Sequence, residues 1–164
     1  MEEPLDKRVE NHKHWYKMDV KGWQRMRADF SNEDLISANL SNATLPYAIF
    51  VGANLFGVDF RGADLRGADF SYTVLSDAIF DEANLRGVNF AHSVISGASF
   101  NKADLCYANF ESCMLTKTNL SEARNLKGTL HSLDDIAESG MSNADIVWFE
   151  LMSIDPDNRK TVFL

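Results

Sequence analysis

The chain has 164 residues, 45% of them apolar, and a formal net charge of -8. That length suits one domain, no apolar run approaches the 18 residues of a membrane span, and an acid excess without a basic patch argues against direct nucleic-acid binding. Two cysteines, Cys106 and Cys113, are too few for a disulfide framework and lack the further ligands of a zinc site.

The start, Met1 to Glu10, is charged and lacks the apolar stretch of a secretory signal, so a cytoplasmic protein is expected. Residues 1–25 read as an N-terminal helical cap. Leu5, Val9, His12 and Tyr16 fall at helical spacing, which predicts a helix over about 5–18, and Val20, Trp23 and Met26 continue the apolar set past Gly22. His12 and His14 lie two apart, on different helix faces, without a Cys, Asp or Glu at ligand spacing. They read as a packed or surface pair, and neither a metal nor a cofactor is expected.

From Phe30 to Leu120 every fifth residue is Phe, Leu or Ile, 19 times in succession. Chance does not produce such a run, and the period fits neither standard element. Five residues turn about 500° on an α-helix and scatter the apolar positions; on a flat strand they flip the face each time. The chain must therefore turn a corner once per repeat, as a solenoid does. Two places before the centre stands Ala in 12 of the 19 repeats. Positions two apart in an extended segment share a face, so both point into a narrow interior. The residue between them, Asn or Asp in 12 of 19, points out. Gly often follows two after the centre, as at Gly52, Gly62 and Gly97, where corners use conformations that Gly adopts at low cost.

A second period sets the number of sides. Phe recurs every ten residues from Phe50 to Phe110, so a 20-residue coil of four sides stacks like on like. One column is Phe30, Phe50, Phe70, Phe90 and Phe110, and the opposite one holds Phe60, Phe80 and Phe100. Between them lie Leu35, Leu55, Leu75, Ile95 and Leu115 on one side and Leu45, Leu65, Leu85 and Leu105 on the other.

The run Ala53-Asn54-Leu55 through Gly62-Ala63-Asp64-Leu65-Arg66-Gly67-Ala68-Asp69-Phe70 resembles the pentapeptide-repeat family, whose consensus is Ala-(Asp/Asn)-Leu-X-X. The resemblance covers about residues 26–125 and implies an all-β solenoid, a right-handed four-sided β-helix. Five coils at the strand spacing of about 4.8 Å give a rod of roughly 24 Å.

After Leu120 the register fails, with Asn125 at the expected apolar position. Residues 126–164 read as a C-terminal helical segment that caps the rod or dimerises. Ser132 with Asp135 and Ser142 with Asp145 are helix-start signals. The run Ile146, Val147, Trp148 and Phe149 is a candidate dimer contact.

The sequence holds no phosphate-loop, Gly-X-Ser-X-Gly or His-Glu-X-X-His motif. Asp59, Asp64 and Asp69 lie on successive sides and point apart. Cys113 takes the inward position, and Cys106 is expected to point outward without an adjacent base. The chain therefore reads as a non-enzyme, and surface recognition remains. The outward column Asp34, Asn54, Val74, Val94, Met114, with Phe56 nearby, is apolar where Asn or Asp is the rule. It is a candidate protein-contact stripe, against the alternative that β-branched residues simply favour strands. Arg66 and Arg86, near Tyr47 and Tyr107, form a second candidate, a grip for an acidic partner or merely a solvated edge.

Three functions follow: an interaction module or scaffold for a protein partner, a DNA-mimicking modulator of DNA gyrase, and a purely structural repeat. The gyrase reading comes from the resemblance, since quinolone-resistance members mimic B-DNA. Here residues 26–125 carry a net charge of -5. Over roughly 24 Å that is about one charge per 5 Å, against about one per 1.7 Å of duplex.

Overall fold

The computed structural model describes residues 3–18, 21–22, 25–120 and 122–125. Helix α1 runs from Leu5 to Lys17. Asp6 in its first turn and His14 and Lys17 in its last complement the helix dipole. It stops at Met18, which takes a left-handed conformation and returns its N–H to the carbonyls of His14 and Trp15.

From Asp29 to Arg124 the chain is a solenoid. Each parallel bridge joins residues 20 apart, as in Asp29–Ile49, Asn54–Val74 and Asp104–Arg124. Four bridge positions occur per 20 residues, so the coil has four faces. They are named here by their inward columns: first (Phe30, Phe50, Phe70), second (Leu35, Leu55, Leu75), third (Leu40, Phe60, Phe80) and fourth (Leu45, Leu65, Leu85). The ladder continues to Arg124, after which Asn125, with φ 55°, stands where an apolar centre is due.

The corners explain the repeat. In each, the N–H three residues after the centre bonds back to the centre's carbonyl, as from Ala63 to Phe60 at 3.0 Å. The residue two after the centre has positive φ at every corner from Asn32 to Lys117, which marks a type II turn. Gly67 is one site where glycine is favoured. Its φ is +63°, and a Cβ there would lie 2.5 Å from Cε1 of Tyr47.

The interior is apolar and closely packed. Phe30, Phe50, Phe70, Phe90 and Phe110 stack at 4.5–5.4 Å, and Phe60, Phe80 and Phe100 at 5.0–5.1 Å. The two columns meet edge to face, as at Phe50–Phe60 with an interplanar angle of 85°. Both are favoured aromatic geometries.

Helix α1 lies against the first coil, where Leu5 and Val9 pack on the core. Arg8 forks onto Glu33 with two 2.7 Å bonds, also reaches the Asp29 carbonyl, and covers the Phe30 ring at 4.2 Å. His12 is fully buried.

Candidate functional site

Where it is Asn or Asp, the outward residue before a centre has a task that counting alone does not reveal. Its side-chain oxygen accepts the N–H of the residue two later, closing an Asx turn over the corner. Asn39 does so for Ser41 at 3.0 Å, Asp59 for Arg61 at 2.9 Å, Asp69 for Ser71 at 3.0 Å and Asn109 for Glu111 at 2.9 Å. Asn or Asp is therefore the residue that stabilises the turn locally.

The second face begins with that chemistry and then abandons it. Asp34 accepts from Ile36 and Asn54 from Phe56. The next three residues of the same ladder, Val74, Val94 and Met114, have no side-chain oxygen to give. Val74 and Met114 are exposed, at 40% and 54%, and Val94 is half-buried. Phe56 and Ile36 at one corner are exposed as well. At the other corner the exposed Tyr72 ring stacks on His92 at 4.9 Å. The structure thus brings the four stripe residues onto one face and adds Ile36, Tyr72 and His92, which sequence reasoning missed. Stacking the corner positions by 20 would have found them.

Beneath this face the inward column also departs from Ala. Thr73 and Ser93 bond the carbonyls of Phe70 and Phe90, and Cys113 Sγ reaches the Phe90 carbonyl at 2.8 Å. Cys113 is a buried core residue. Cys106 does not point outward as expected: it is 3% exposed. Ser71 and Ala91, at the same position of the repeat on another corner, are buried as well.

The third and fourth faces carry charge in pairs. Asp59 meets Arg61 at 2.6 Å, and that hydrogen bond holds its carboxyl below the usual range. Arg66 bonds both oxygens of Asp64, at 2.8 and 2.6 Å, and reaches the Tyr16 hydroxyl at 3.3 Å. Arg86 lies 3.4 Å from Asp104 on the next coil. Both arginines of the second candidate are thus engaged with carboxylates of the rod itself. Ile146, Val147, Trp148 and Phe149 lie outside the described residues. Among the described residues no cluster of metal-ligating side chains occurs, and no helix is long and apolar enough to cross a membrane.

The family model for pentapeptide repeats matches in three overlapping stretches, 26–62, 59–97 and 83–122. The chain belongs to the pentapeptide-repeat family. With the family goes the right-handed β-helical solenoid. Among solved structures, this pentapeptide-repeat protein is 32% identical to one from the Arabidopsis thaliana thylakoid lumen, covering 59% of this chain and 64% of that one with a TM-score of 0.45. It is also 32% identical to HetL of the cyanobacterium Nostoc, involved in heterocyst differentiation regulation, covering 65% and 60% with a TM-score of 0.39. QnrB1, a plasmid-mediated fluoroquinolone resistance protein, is 20% identical over 70% of this chain and 72% of its own, with a TM-score of 0.35. The chain thus spans less than two thirds of the length of the first two. A comparison with curated proteins gives no match.

Proposed function

We propose that this protein is a non-catalytic interaction scaffold, a five-coil rod capped at its start by α1, whose second face binds a partner protein. The carrying observation is the loss of the Asx acceptor at three successive coils. Val74, Val94 and Met114 give up a corner hydrogen bond, worth about 1 kcal/mol in a typical case, and present apolar surface instead. Strand preference does not account for Met114, which is unbranched at Cβ. The ladder residues of this face bear no charge from Asn54 onward, so the partner surface it fits is apolar at its centre.

DNA mimicry has less support. A phosphate-like column needs unpaired acid, and Asp59, Asp64 and Asp104 each lie against an arginine. The test is photo-crosslinking in living cells with a benzophenone side chain placed at Val94, and at Asn84 on the fourth face as control. A defined adduct at 94 that is absent at 84, and lost when Val74 and Met114 are Asn, is the expected result. Equal labelling at both positions overturns the proposal.

A further inference from the structure

We propose that His12 is a proton-operated latch, which holds α1 on the first coil when neutral and lets it go in mild acid. The latch is built from two opposed hydrogen bonds. His12 Nε2 donates to the Pro46 carbonyl at 2.8 Å, and Nδ1 accepts the Ala28 backbone N–H at 2.9 Å. One neutral tautomer satisfies both, and the ring is wholly buried. Helix, lead-in segment and first coil are therefore joined through a single imidazole.

A second proton has only one place to go, Nδ1, and the Ala28 N–H already points at it. Two donors then face each other in a site closed to water, so the Ala28 bond must break before the ring can charge. Of the nearby groups only the Pro46 carbonyl favours the charged ring, and it does not outweigh burial. From the lead-in segment Arg27 faces the ring with a like charge. From the first coil Pro46 offers its carbonyl, already in use. On the helix, Trp15 packs on the imidazole at 5.0 Å, and Arg8, one turn earlier, is tied to Glu33. Burial, before any of these, holds the His12 pKa below its ordinary value.

The consequence is local. The other attachments of α1 include Leu5 and Val9 on the core, Arg8 on Glu33 of the first coil, Trp15 beneath Arg27, and Tyr16 on Arg66 of the second coil. The later coils keep their own ladder. Release of α1 bares the Phe30 end of the rod and frees Arg66 from Tyr16.

Amide hydrogen exchange on the full chain at pH 7.5, 6.0 and 5.0, corrected for intrinsic rates, tests this. Protection of Ala28 and of α1 amides is expected to fall at least tenfold between pH 7.5 and 5.0, while Phe70 and Phe80 amides stay protected. His12→Gln can donate and accept at similar places but cannot charge, and its α1 protection is expected to be flat with pH. Wild-type protection that does not change overturns the latch. So does loss of protection in all coils together, or the same pH dependence in His12→Gln.

Discussion

At the scale of single residues, two kinds of position carry this fold, and they respond oppositely to change. Phe70 is fully buried between Phe50 and Phe90 and meets Phe60 and Phe80 edge on. Phe70→Ala opens a cavity that the flanking coils cannot close, and urea unfolding is expected to register a loss of about 3–5 kcal/mol. Lys102 is exposed with φ 59°, a left-handed conformation that its Cβ resists. Lys102→Gly keeps the backbone bond from its N–H to the Glu122 carbonyl. It is expected to raise stability by up to about 1 kcal/mol in the same assay, the relieved strain exceeding the added freedom of the unfolded chain. The columns of Phe and Leu are legible in the sequence because a spacing of 20 repeats one choice five times. The Asx turns are only half legible. Counting finds Asn and Asp, and the geometry of Asp59 on Arg61 supplies the reason.

At the scale of elements, α1 was readable from Leu5, Val9 and His12 as a helix, but not as a latch. The partners of His12, Ala28 and Pro46, lie 16 and 34 residues away, and no local pattern announces them. Cys106 failed for a related reason: alternation predicts an outward direction, but at a corner the chain is not a flat strand. The pH dependence of stability follows from the lowered His12 pKa. Between that lowered value and the ordinary one near 6.5, the unfolded chain binds more protons than the folded one. The contribution is thus complete above about pH 6.5 and declines as the pH falls toward the folded pKa. Urea midpoints of the wild type minus those of His12→Gln are expected to fall between pH 7.5 and 5.0. The carboxylates held low by their partners, Asp59 and Asp29, act in a separate window, losing their contribution only as the pH drops below about 4.

At the scale of the whole molecule, the four faces are chemically distinct although one repeat builds them all. The third and fourth pair acid with arginine, and the first runs an amide ladder from Asp69 through Asn89 to Asn109 at 3.0 and 3.1 Å. The second turns apolar over its later coils. A face whose local stability is lowered by its own sequence is the one to examine for binding, and the most direct measurement is the stability of Val74→Asn/Val94→Asn/Met114→Asn. If these three residues serve contact rather than folding, restoring the Asx acceptors offsets the lost apolar packing. The triple variant is then expected to unfold in urea at or above the wild-type midpoint. A stability loss of more than about 2 kcal/mol, the scale of a true core deletion, would show that the stripe belongs to the fold and contradict the account.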